Sequence, residues 1–170
     1  MRGSDRTSQA KQRYHARRSP FLRQARRRLG LTPAATSLAS GLSNEAVTQI
    51  ERRQRLPRIG TIEQLAACLQ VSAAWLAVGE GNADRDPSAM GCERVGQRIA
   101  ELRQAQGMTR KALGAASQLA GQAIANIEQK GMLPRVDALE RIAKALGVSP
   151  GWLAFGTAHA AAEQRPQHCA

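Results

Sequence analysis

Thr32-Pro33-Ala34-Ala35-Thr36-Ser37-Leu38-Ala39-Ser40-Gly41-Leu42-Ser43-Asn44-Glu45-Ala46-Val47-Thr48-Gln49-Ile50-Glu51-Arg52 reads as two short helices joined by a sharp turn. Thr32 is a capping residue and Pro33 suits the first helical position, where a missing N–H costs nothing. Gly41 can take the left-handed conformation at the turn, Leu42 can drop into a core, and Ser43 can cap the next helix. Helical periodicity then turns Ala46, Val47 and Ile50 inward and leaves Asn44, Glu45, Thr48, Gln49 and Arg52 on the opposite face. Short polar side chains on one exposed helical face suit the base edges of a major groove, which is wide enough to admit a helix. Arg52, Arg53, Arg55 and Arg58 follow at once, placed to grip phosphates.

The stretch occurs twice. Residues 21–79 lie on residues 98–156 without a gap, giving about 22 identities at a constant offset of 77 residues. Trp75-Leu76-Ala77 recurs as Trp152-Leu153-Ala154, and Leu56-Pro57-Arg58 as Leu133-Pro134-Arg135. Ile62, Leu65, Ala66 and Leu69 form a helical stripe that Leu139, Ile142, Ala143 and Leu146 repeat. Ser72 and Ser149 each precede a short helix. The pattern predicts five helices per repeat, at about 20–29, 33–40, 44–53, 61–69 and 73–78, then the same plus 77. Residues 20–81 and 93–157 are thus expected to be two domains, with 82–92 a flexible linker. Residues 1–19 read as a disordered basic arm, and 158–170 as a disordered tail.

Each unit is near the lower size limit for an independent core, which leaves no room for a deep enzyme cavity. The chain of 170 residues carries 25 Lys and Arg against 13 Asp and Glu. Residues 1–60 hold 14 of the basic and 3 of the acidic groups, which points to a polyanionic partner. Cys68, Cys92 and Cys169 show no short spacing, so neither a disulfide framework nor a metal site is expected, and the setting reads as reducing cytosol. No Ser/His/Asp grouping, phosphate loop or metal-ligand cluster marks an enzyme, and no cofactor is implied. No apolar run approaches a membrane span. Arg17-Arg18 lacks the apolar run of an export signal.

Both repeats resemble the helix-turn-helix domain of the Cro/C1 (XRE) family of bacterial and phage regulators. In repeat one the signature is carried by Leu22, Ala25, Arg26, Gly30-Leu31-Thr32, Gly41, Ser43, Val47, Ile50-Glu51 and Pro57. In repeat two it is carried by Ile99, Leu102, Arg103, Gly107-Met108-Thr109, Leu113, Ile124, Ile127-Glu128, Pro134 and Leu146-Gly147-Val148-Ser149. The resemblance implies an all-α chain of two tandem five-helix, lambda-repressor-like bundles. It makes the third helix of each (about 44–53 and 121–129) the recognition helix, and Arg26–Glu51 and Arg103–Glu128 structural ion pairs.

On this reading double-stranded DNA meets Thr32, Ser43, Asn44, Glu45, Thr48, Gln49, Arg52, Arg53, Arg55 and Arg58 of the first head. In the second it meets Thr109, Arg110, Lys111, Gln122, Asn126, Lys130 and Arg135. The departures are informative. Pro33 and Arg110 replace the family's usual Gln, and Thr36-Ser37 thins an apolar face. Gln118 replaces the turn glycine at about 1–2 kcal/mol if left-handed. Ala120 replaces a capping Ser, and the second recognition face, with Gly121, Gln122, Ala125 and Asn126, is thinly equipped. The leading expectation is a sequence-specific repressor, cytoplasmic and nucleoid-associated, with no effector domain beyond the repeats. The competing one is an antitoxin-like interaction module whose second head docks a partner or a second copy. A free linker of this length has an r.m.s. span near 20 Å, enough with stretching for heads in adjacent major grooves.

Overall fold

The computed structural model describes residues 20–52, 54–84 and 91–157. The basic arm 1–19, Arg53, the linker centre 85–90 and the tail 158–170 lie outside the described residues. Repeat one consists of α1 (20–28), α2 (Pro33–Ala39), α3 (Ala46–Glu51), α4 (Ile59–Leu69) and α5 (Ala73–Val78). Repeat two opens with a single 3-10 turn at Cys92–Arg94. It continues as α6 (Val95–Ala105), α7 (Arg110–Ala116), α8 (Gly121–Lys130), α9 (Val136–Leu146) and α10 (Pro150–Phe155). Among the described residues there is no strand, only two isolated bridges.

Side-chain caps set the starts of α2, α5, α7 and α10. The hydroxyls of Thr32 and Thr109 accept the N–H of Ala35 and Ala112, both at 3.1 Å. Ser72 and Ser149 do the same for Trp75 and Trp152, at 3.3 and 3.1 Å. The left-handed stops are shared unequally. Gly41 and Gly147 hold positive φ in one repeat, while their counterparts Gln118 and Gln70 do so in the other, each at φ 56°. A side chain there is strained by about 1–2 kcal/mol, partly offset by glycine's greater freedom when unfolded. Gln70→Gly and Gln118→Gly are therefore each expected to raise stability by about 0.5–1 kcal/mol in urea titration. No gain at either position would mean that the surroundings have already relieved the strain.

Inside the bundles, Val47, Ile59, Leu65 and Ala77 of repeat one and Ile99, Leu113, Ile124, Leu139 and Leu153 of repeat two are fully buried. The repeats fill one equivalent position differently. Phe21 lies on Trp75 with ring centroids 4.7 Å apart, whereas Arg98 donates to the carbonyls of Leu153 and Ala154 at the end of α10. A cation suits the negative end of a helix, although burial lowers the pKa of that guanidinium.

The two bundles are not separate bodies on a tether. Ile59 N–H donates to the Pro134 carbonyl at 3.1 Å, and Val136 N–H donates to the Pro57 carbonyl at 3.2 Å. Shifting either bond by 77 residues and exchanging the partners yields the other. That reciprocity is the mark of an isologous two-fold contact. The approximate dyad runs through the antiparallel bridge between Arg58 and Arg135. Beside it α5 packs on α10, where a Cβ added at Gly151 would stand 3.1 Å from the Ala74 Cβ; these two positions are also 77 apart. The hydrophobic cores of the repeats run together through this contact.

Contacts outside the symmetry reinforce it. The Glu80 carboxylate accepts from the Ser149 hydroxyl and, at 2.9 Å, from Gly151 N–H. Glu63 accepts the Cys92 N–H and thiol, both at 2.9 Å. Burial and that carboxylate push the Cys92 thiol up to about 12, so it stays protonated as a donor. The described ends of the connection are held as well, since Ser72 N–H donates to the Ala83 carbonyl at 3.0 Å. The reach of a free linker therefore does not set the spacing of the heads; the packed interface does.

Candidate nucleic-acid interface

In repeat one α3 begins at Ala46, two residues later than periodicity predicts. Ser43 does not cap it through its side chain; its carbonyl accepts the Ala46 N–H at 2.8 Å, and Asn44 and Glu45 form the turn before the helix. The missing cap is supplied from α2. Ser37, fully buried, accepts the Val47 N–H at 3.1 Å while donating to the Pro33 carbonyl. The Thr36-Ser37 departure thus exchanges apolar packing for a bond that serves an N–H left open in the first turn of α3.

Repeat two solves the same junction by proximity. Gly114 stands where repeat one has Ser37, and a Cβ there would meet the Gly121 nitrogen and the Leu119 carbonyl at 2.9 Å. The left-handed turn at Gln118 is held by Arg141, which donates to its carbonyl at 3.1 Å. Ala120 provides no side-chain cap, yet α8 runs four residues longer than α3.

Both third helices bury one side and expose the other. Ala46, Val47 and Ile50 are buried in α3, and Ile124 and Ile127 in α8. Asn44, Glu45 and Arg52 are exposed, with Thr48 and Gln49 half-buried; Gln122 is exposed and Asn126 half-buried. Each face carries an i,i+4 polar pair at equivalent positions. Gln49 Nε2 donates to Glu45 Oε2 at 3.4 Å, and Gln122 Nε2 donates to Asn126 Oδ1 at 3.2 Å. The first pair joins a carboxylate to an amide. The second is two amides and carries no charge.

Each recognition helix is anchored at its far end by a buried carboxylate. Arg26 grips Glu51 through Nε (2.8 Å) and Nη2 (3.1 Å), while its Nη1 donates to the Leu31 carbonyl. Arg103 grips Glu128 through Nε (2.7 Å) and Nη2 (3.0 Å), while its Nη1 donates to the Met108 carbonyl. One guanidinium thereby ties the first helix, the turn before the second and the end of the third. Arg110 joins this anchor, its Nε 2.7 Å from Glu128 Oε2, with about two-fifths of its side chain exposed. Nothing in the sequence marked that pairing, because 18 residues and a turn separate the partners.

Burial opposes the charge on Glu128, but hydrogen bonds from Arg103 and Arg110 outweigh it and hold the carboxyl below its ordinary value. A carboxyl whose folded pKa is depressed contributes stability above its unfolded pKa of about 4.3 and loses it as pH falls through the folded value. The melting temperature is therefore expected to drop below about pH 5, and Glu128→Gln to flatten that drop. Parallel pH profiles for the two proteins would assign the loss to other groups.

Thr32 and Thr109 are exposed beside the recognition helices, their oxygens used in capping and their O–H groups left to donate. Arg52, Arg55, Arg58, Lys111, Lys130 and Arg135 are exposed. Arg58 Nη1 also donates to the Leu133 carbonyl across the dyad. Gln129 and Met132 stand where repeat one has Arg52 and Arg55, so the second head is less basic. Arg27 and Arg28 on α1 are exposed too, and the run Arg26-Arg27-Arg28 signalled them without separating the buried arginine from its neighbours.

A family model described as helix-turn-helix matches residues 22–76 and again residues 99–153, more than half of the chain. The chain belongs to the Cro/C1-type helix-turn-helix family. Membership makes it a DNA-binding regulator of that type, with one family domain in each repeat. No curated protein and no solved structure gives a significant match. Among the described residues no helix is long and apolar enough to cross a membrane.

Proposed function

We propose that the chain is a sequence-specific transcriptional repressor that works by occupying an operator in the cytoplasm, on the nucleoid, with α3 and α8 in the major groove. The observation that carries this reading is the pair of exposed helix faces, each apolar side buried and each outer side holding a polar i,i+4 couple. Asn44, Glu45, Thr48 and Gln49 read bases in one half of the site; Gln122 and Asn126 read them in the other. Glu45 suits the cytosine amino group, and the amides suit adenine in the bidentate manner. Thr32, Ser43, Arg52, Arg55, Arg58, Thr109, Lys111, Lys130 and Arg135 fix the register on phosphates, with Arg53 assigned by sequence alone.

The test is selection of bound duplexes from a random pool, followed by titration at several salt concentrations. An enriched sequence is expected, with log K falling by about 0.9 per decade of salt for each phosphate neutralised. Equal affinity for random and selected duplexes at 0.15 M salt would contradict the reading. A second reading, in which the second head docks a protein, draws on Met132, 45% exposed where repeat one has an arginine. Removal of the selected site's second half with no change in affinity would favour it.

A further inference from the structure

Resting on the DNA-reading function above, we infer that one chain is the whole reading unit: its two heads, locked across an internal dyad, address one non-palindromic bipartite operator in a single orientation, with no second copy. A two-fold contact between identical chains needs every bond twice, once in each direction. Here both directions are made within one chain, by Ile59 to Pro134 and by Val136 to Pro57. The surfaces that make this two-fold contact, α5 and the 57–59 segment, are covered within the chain by α10 and the 134–136 segment.

The interface also prefers unlike repeats. Glu80 takes the Ser149 hydroxyl and the Gly151 N–H, and a Cβ at position 151 would meet its Oε2 at 2.3 Å. Repeat one has Ala74 at that position, so pairing two copies of repeat one would push the Glu80 carboxylate aside. Repeat two has Thr157 in place of Glu80, so two copies of it would lack the acceptor altogether.

The heads so joined differ in what they read. Glu45 with Gln49 offers an acceptor-only carboxylate beside an amide, whereas Gln122 with Asn126 offers two amides. Thr48 and Arg52 on the first face become Ala125 and Gln129 on the second. Two unlike faces related by a dyad require half-sites that are arranged as an inverted pair but differ in sequence. A homodimer cannot hold such a site in one preferred orientation; this chain can. The dyad also brings the exposed Arg58 and Arg135 together, which puts two cations at the centre of the site.

The experiment uses the full chain and the duplex it selects from a random pool, with native mass spectrometry for stoichiometry and anisotropy for affinity. The expected result is a 1:1 complex, binding without cooperativity in protein concentration. Duplexes in which either half-site is duplicated as a palindrome should bind about tenfold or more weakly. A 2:1 complex, or a palindrome bound as well as the selected duplex, would overturn this inference while leaving the chain a sequence reader. Failure to enrich any sequence would instead overturn the DNA-reading function, and this inference with it.

Discussion

Replacing Glu128 with alanine is expected to destabilise the protein by about 3–5 kcal/mol, the range for removing one partner of a buried ion pair. The side chains of Glu128 and Arg103 are 1% and 9% exposed, and the carboxylate satisfies two nitrogens of that guanidinium. Without it Arg103 keeps only the Met108 carbonyl in a site with little water. Arg110, about two-fifths exposed, can turn to solvent and adds little. A loss of this size is a large fraction of the 5–15 kcal/mol that holds a typical domain together. Because α10 packs on α5, unfolding of the second head also strips a covered face from the first. Urea titration followed by circular dichroism reads the effect. A cost below about 1 kcal/mol would mean that the pair is not a structural anchor.

The second large effect concerns the recognition faces. Glu45→Ala with Gln49→Ala, and separately Gln122→Ala with Asn126→Ala, are each expected to cost about 1–3 kcal/mol for every base that is no longer read. Binding to the selected duplex would fall about fivefold to 150-fold for each base lost, while binding to random duplexes at low salt would hardly change. Each double variant should lose discrimination at the bases its pair reads, and in one half-site only. Arg52→Ala and Arg55→Ala should behave differently, weakening all duplexes alike and reducing the salt slope by about one phosphate each. Uniform weakening by the α8 variant, with both half-sites still discriminated, would show that Gln122 and Asn126 do not read bases.

Features written in neighbouring residues were legible from the sequence. Thr32, Ser72 and Ser149 cap helices through bonds three residues long, and the stripes on α4 and α9 bury the positions that periodicity assigns. The left-handed turn at Gln118 was visible because its counterpart is Gly41. What depended on distant partners was not. Ser37 reads as a flaw in an apolar face until Val47 is placed against it, and the bond from Arg110 to Glu128 is invisible until the two residues are placed side by side. The internal dyad was hidden for another reason. Leu56-Pro57-Arg58 and its copy match one another, but a duplicated fold alone explains identical sequences. Only the reciprocal bonds show that the two copies meet.

The most direct measurement is a crystal structure of the full chain on its selected duplex. One chain per duplex is expected, with α3 and α8 in successive major grooves on one face of the DNA, about 34 Å apart, and with Arg58 and Arg135 between them. A complex in which either helix lies away from the DNA, or in which the α5–α10 contact has opened to place the heads, would contradict it.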